Sequence, residues 1–414
     1  MRGIVKDGAL AGASAMAANV STYVFYALVT RSLGVDSGGA LLAVIAASLM
    51  LSLPVGVVGL GLSGVVSHLR AVGDFGGLSR LLRRSAALYA VGASIVFAAA
   101  FAGARAVDDF FHLDVALVAP SAAVIVVATA GLLLSRGFLQ GVGDFRGLAF
   151  SNLVEAGAKL AGAATIALAA GGIAAALATF GAALLAAFAV SSVLLYVHAC
   201  HDHVPAVSES ALRQATPVFA ALGALTVMTF FDAIAARHFL SPREAGLYNA
   251  AALVGRALMT VLAFVPSVLL PKVRERVATA GDTRAVAAPA IAFTIAVCLT
   301  ALAVCVFAPR TVVVFVGGRA YADAASLVPL YALASCSLAL TSVLATIHAA
   351  HDRLRVGGSL LVVMCLEVAG VVLMHGSATA ILHVIVAGHV TALIVTVALG
   401  ALDAKRPGQS TRYA

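Results

Sequence analysis

Five ionisable side chains sit within long apolar stretches of this 414-residue chain: Glu155, Lys159, Asp232, Arg256 and Glu367. A charge near the middle of a bilayer costs about 2.5–3.5 kcal/mol on insertion scales, so each needs a partner or a task. Glu155 and Lys159 are spaced i, i+4 and share a helical face with Asn152. That spacing lets them neutralise one another or line a site together. Asn249, Arg256 and Thr260 fall at i, i+7 and i+11, one continuous polar stripe, and Asn19, Tyr23, Tyr26 and Thr30 form a second at i, i+4, i+7 and i+11. Lipid offers such groups no hydrogen-bond partner, so each stripe faces a cavity or a neighbouring helix. We read Arg256 as facing a cavity. Asp232 lies near a helix end, where Arg237 or His238 could pair with it. Glu367 has the chemistry of a proton or cation site and equally that of a structural ion pair. His383 and His389 are six apart and do not share a face, which reads as packed or interfacial histidine rather than a proton relay.

The stretches that must position these residues dominate the composition. Hydrophobic residues make up 62% and charged residues 11%, against about 25% charged in an average soluble domain. This excludes a soluble enzyme, a disordered chain and a secreted disulfide scaffold. The five cysteines form no CxxC pair and read as small buried hydrophobes. Twelve apolar runs are long enough to span a membrane: 9–29, 39–64, 85–104, 115–135, 148–170, 173–198, 214–236, 245–270, 288–308, 324–347, 356–374 and 378–401. They are continuous rather than alternating, so helices are expected and a barrel is not. The small-residue run at 11–18 imitates a signal-peptide cleavage site, but the apolar stretch continues past it and is expected to remain as a first helix.

Basic residues give the orientation. With the N-terminus inside, 18 of the 26 Lys and Arg residues fall on inside segments, Arg136 among them, and six fall outside. Only Lys159 and Arg256 are left within spans. Both termini are therefore expected in the cytoplasm, and the net charge of +8 reports membrane topology rather than nucleic-acid binding. The halves also align at an offset of about 207. RSLGVDSGG (31–39) falls on HFLSPREAG (238–246), Gly73-Asp74 near Gly281-Asp282, Asp144 on Asp352, and the segment at Lys159 on that at Glu367. A parallel repeat of six plus six helices is a transporter architecture. We expect a first lobe over 1–200, a cytoplasmic linker over 201–213 and a second lobe over 214–414. Pro54, Pro217 and Pro266 interrupt the second, seventh and eighth spans and allow them to bend. The sequence has no GxxxxGK[ST] loop, no HExxH and no metal-ligand cluster. It reads as a non-enzyme without cofactor or metal, with H+ or Na+ as candidate coupling ions.

Three stretches carry a resemblance: TRSLGVDSGGALLAV (30–44), SRGFLQGVGDFRGLAFSNLVEAGAKL (135–160) and FDAIAARHFLSPREAGLYNAAALVGRALMTVLAFVPSVLLPKV (231–273). Through them the chain resembles the polysaccharide flippases of the MOP (multidrug/oligosaccharidyl-lipid/polysaccharide) exporter superfamily, relatives of the MATE transporters. The resemblance implies two six-helix lobes in a V that exchange access by rocking. It implies a polyprenyl-pyrophosphate-linked oligosaccharide carried from the inner to the outer leaflet of a bacterial cytoplasmic membrane, for export of surface polysaccharide. By position, the first, second, seventh and eighth helices would line the cavity and bring both polar stripes into it. Family cavities tend to be cationic, and Arg256, Lys159 and Arg31 would supply that charge to a pyrophosphate. The implied partners are the lipid-linked glycan, membrane lipids and other polysaccharide-assembly membrane proteins. Two alternatives stay open: a drug or cation antiporter of the same superfamily, with acidic residues dominating its cavity, and a major-facilitator transporter, whose loop signature GDFGGLSRLLRR (73–84) echoes. A membrane-embedded glycan polymerase would need a large external loop, which the spans leave no room for.

Overall fold

A computed structural model describes residues 2–113, 117–199, 216–279, 281–351 and 354–404, and these are almost entirely helical, with no strand among them. The expected linker 201–213 lies outside the described residues, as do Asp114, Cys200, Asp352, Arg353 and the basic residues of the C-terminal tail. Nine helical stretches among the described residues are long and apolar enough to cross a membrane. Together with the composition they make this a multi-pass membrane protein.

The first helix, α1 (Arg2–Ala71), is broken once, at Gly34, with φ 78° and ψ −178°. A side chain at that φ would strain the backbone, so the kink needs glycine. It joins the first two expected spans. There follow α2 (Phe75–Ala102), the short α3 (Ala104–Phe111), α4 (Val118–Gly141), α5 (Phe145–Ala169) and α6 (Ile173–Ala199). Next come α7 (Thr216–Phe239), α8 (Pro242–Leu262) and α9 (Phe264–Ala278). The break at Ala263 divides the expected span 245–270, and Pro266 falls in the first turn of α9, where its missing N–H leaves no intrahelical bond unmade. The chain ends with α10 (Arg284–Phe307), α11 (Pro309–Gly317), a 3-10 segment (Arg319–Ser326), α12 (Val328–Ala350), α13 (Leu354–Leu373) and α14 (Ala378–Ala404).

The contacts divide the chain into two compact units: Met1–Ala215 with Ser241–Gly246, and Thr216–Leu240 with Leu247–Ala414. In unit 1, α1 packs on α4 and α5, and α4 on α6. Between lipid-bathed helices the hydrophobic effect supplies little attraction, so close approach of small residues does. The α1–α4 crossing is built that way. A Cβ on Gly59 would come 2.7 Å from the Leu133 carbonyl oxygen, and one on Gly137 would collide with the Gly59 carbonyl. In unit 2, α12 packs on α14 and α10, and α7 on α13.

Unit 1 uses one turn twice. GDFGGL (73–78) and GDFRGL (143–148) share a backbone: Gly73 and Gly143 have φ 75° and 73°, and Asp74 and Asp144 cap the next helix. Each Asp carboxylate accepts the N–H of the glycine three residues on, at 2.7 and 2.8 Å, the expected bond of an Asp N-cap. A Cβ on Gly77 or Gly147 would strike that carboxylate. Leu78 and Leu148, the last letters of both turns, meet in one apolar cluster with Val66, Phe138 and Val142. In unit 2 the aligned Asp282 behaves differently: it accepts the N–H of Arg284, two residues on.

Candidate functional site

Each unit holds its own buried polar cluster. In unit 1 it is centred on Glu155 of α5. The Lys159 ammonium, one turn further along, lies 2.5 Å from Glu155 Oε1, so the i, i+4 pair forms. Lys159 also donates to Thr22 Oγ1 of α1 at 2.7 Å and sits 4.7 Å from the centre of the Phe180 ring of α6. A cation over an aromatic face is attracted by the ring quadrupole. Tyr26 stacks on the same ring at 5.9 Å, and Tyr23 meets Tyr26 edge-on. Lys159, Tyr23 and Tyr26 are therefore brought together, with Phe180 and Thr22 as members that sequence reasoning missed. Asn152 donates to Ser14 of α1 at 2.9 Å. Asn19 is half-buried on α1, and Arg31 is exposed beyond it.

Arg136 corrects the sequence reading. It was expected in an inside loop, but it lies within α4 and its guanidinium is 2.8 Å from Glu155 Oε2. It also donates to Ser151 Oγ at 3.2 Å, and Ser191 of α6 donates to the same oxygen. A long side chain near a helix end reaches inward as readily as outward. One carboxylate therefore bridges two cations that carry donors and no acceptors.

The unit 2 cluster joins α7, α8, α12, α13 and α14. Asp232 is fully buried. Its Oδ1 lies 2.7 Å from an Arg256 nitrogen, and its Oδ2 accepts the hydroxyls of Tyr248, at 3.1 Å, and Tyr331. Arg256 spends its Nε on the Thr229 carbonyl at 3.0 Å. Asp232 thus draws on the deep residues of α8 and α12, where the sequence suggested an interfacial pairing with Arg237 or His238. Asn249, the residue after Tyr248, is buried and reaches the Ala233 carbonyl at 3.5 Å, and Thr260 is half-buried near the end of α8.

Beside it, His389 of α14 lies 3.7 Å from Glu367 of α13, both buried. The histidine was read as packed or interfacial; it is buried, with a carboxylate beside it. Its Nδ1 is 3.0 Å from the Ala334 carbonyl and its Nε2 is 3.2 Å from the Met228 carbonyl. Carbonyl oxygens only accept, so whichever ring nitrogen carries a proton has a carbonyl to receive it. The second Glu367 oxygen lies over Gly388, where a Cβ would collide with it. His383 is exposed. Gly388→Ala is therefore expected to push the carboxylate out of its seat and lower stability by about 1–3 kcal/mol, as overpacking does. Gly92→Ala, with open space around it, is expected to leave stability unchanged. Thermal unfolding in detergent measures both.

No family model and no curated protein sequence matches the chain. Solved structures do. A multidrug-resistance MATE transporter of the MOP superfamily, in its inward-facing conformation, superposes with a TM-score of 0.71 at 14% identity, over 92% of this chain and 94% of its own. The lipid II flippase MurJ, in an inward closed conformation, gives 0.71 at 10% identity, over 95% and 87%. The eukaryotic MATE transporter AtDTX14 gives 0.67 at 15% identity, over 96% and 95%. The chain has the fold that these MATE transporters and MurJ share. At these identities the likeness speaks for the fold alone.

Proposed function

We propose that the protein flips a lipid-linked oligosaccharide, carried on a polyprenyl pyrophosphate, from the inner to the outer leaflet of a bacterial cytoplasmic membrane, by alternating access and for export of surface polysaccharide. The observation that carries this reading is the charge balance of unit 1, where Arg136 and Lys159 face the single carboxylate Glu155. Fully ionised, the cluster holds one surplus positive charge, which suits an anionic head group. A drug-cation antiporter would be served by the opposite balance. That second reading is favoured by the likeness to MATE transporters, and the flippase reading by the likeness to MurJ. The major-facilitator alternative has no support in the fold.

In this proposal Arg256, Asn249, Thr260, Asn19, Tyr23, Tyr26, Lys159 and Arg31 line the substrate path. Glu155, Asp232 and Glu367 are the acidic residues through which a gradient acts. H+ and Na+ are both candidate coupling ions at these carboxylates. Both termini are cytoplasmic and the protein is not an enzyme.

The test is deletion of the gene in its host. Loss of surface glycan with accumulation of the lipid-linked precursor on the inner leaflet is the expected result, restored by the wild-type chain. Normal glycan together with increased sensitivity to cationic drugs would replace the flippase by the antiporter.

A further inference from the structure

A second charged feature of unit 2 lies apart from the buried clusters. The last turns of α9 and the first of α10 enclose a half-open cavity of about 490 Å³, lined by Lys272, Glu275, Arg276, Thr279 and Val286. Lys272, Glu275 and Arg276 fall at i, i+3 and i+4 on one face of α9, and Thr279 is its C-cap residue. Val286 closes the far wall from α10. Among the described residues neither Lys272 nor Arg276 makes an ion pair, and Arg274 and Arg284 stand exposed nearby. The turn below is already internally bonded. Thr279 N–H donates to the Glu275 carbonyl, Gly281 N–H to the Arg276 carbonyl at 2.8 Å, and Arg284 N–H to Asp282. The cations are therefore not consumed in holding the turn.

We propose that this cavity binds a lipid-borne phosphate at the membrane surface. Two cations on one helical face supply the charge-assisted donors a phosphate needs, and the guanidinium can meet two of its oxygens. Glu275 is the one carboxylate in the lining and leaves a surplus of one positive charge. The helix C-terminus beside it exposes carbonyls that repel anions, so binding depends on the two side chains. The chemistry has two sources: the head group of a bulk anionic lipid, or the phosphate of a lipid-linked glycan loading into the transporter. The site does not depend on which substrate is carried.

The full-length protein in detergent micelles, titrated with phosphatidylglycerol, phosphatidylcholine or inorganic pyrophosphate and read by native mass spectrometry, tests this. Wild type is expected to retain phosphatidylglycerol over phosphatidylcholine. Lys272→Gln/Arg276→Gln is expected to weaken that binding about thirtyfold, from the usual contribution of a basic residue near an anionic surface. Arg310→Gln should not. Glu275→Gln, which adds no bulk, is expected to tighten it, so the inference stays testable if the double variant folds poorly. Binding of pyrophosphate that follows the same variants, without preference for phosphatidylglycerol, assigns the site to the glycan's phosphate. Binding of both probes that ignores all of these substitutions overturns the site. Because the readout is binding, a lost glycan-export phenotype and a lost site are separate results.

Discussion

Arg256→Met is expected to destabilise unit 2 strongly and to abolish export. It would leave the fully buried Asp232 with two tyrosine hydroxyls and without its guanidinium partner. Removing one partner of a buried ion pair costs about 3–5 kcal/mol, because the remaining charge is stranded. The single variant therefore confounds folding with transport. The double variant Arg256→Met/Asp232→Asn separates them, since it removes both charges and is expected to recover most of the lost melting temperature. Absent export in that recovered protein would mean the guanidinium acts on the substrate. Full export would reduce the pair to a structural tie and remove Arg256 from the proposed path.

The second large effect is expected at Glu155. Glu155→Gln would leave the buried Lys159 and the half-buried Arg136 without their shared carboxylate, for a loss of about the same size. Lys159→Met should cost less, because Arg136 still neutralises Glu155, and Thr22 and Phe180 lose only a neighbour. The expected order of melting temperatures is wild type, then Lys159→Met, then Glu155→Gln. A reversed order would show that the carboxylate depends on Lys159 far more than on Arg136.

Much of the fold was legible because lipid dictates composition. The apolar runs fall on helices among the described residues, though the first two share α1 and 245–270 is divided at Ala263, and the kink between the first two follows from a glycine. The clusters were legible only where their members lie on one helix. Glu155 and Lys159 are four apart, so helical geometry alone brings them together. Arg136 and Glu155, Asp232 and Arg256, and Glu367 and His389 lie on separate helices, and no periodicity reports which faces meet. Arg136 was hidden for a second reason: it sits near the end of an apolar run, where a basic residue ordinarily marks a loop. The polar stripes carried less information than their regularity suggested. The Thr30 hydroxyl donates to the Tyr26 carbonyl of its own helix at 2.6 Å, so a buried hydroxyl can be satisfied without any cavity. The twin GDFxGL turns were readable as a repeat of 70 positions but were masked by the longer offset between the halves.

Those twin turns bear on where the chain can be edited. Short polar connections at a membrane surface are the customary places to insert a tag or a reporter, and 73–77 and 143–147 look like two of them. Neither has slack. The capping carboxylate must find the N–H three residues ahead, and one added residue there turns the following helix by about 100°, rotating its packed face out of register. Fusion partners belong elsewhere, and a library of insertions across unit 1 should show two sharp gaps at these glycines.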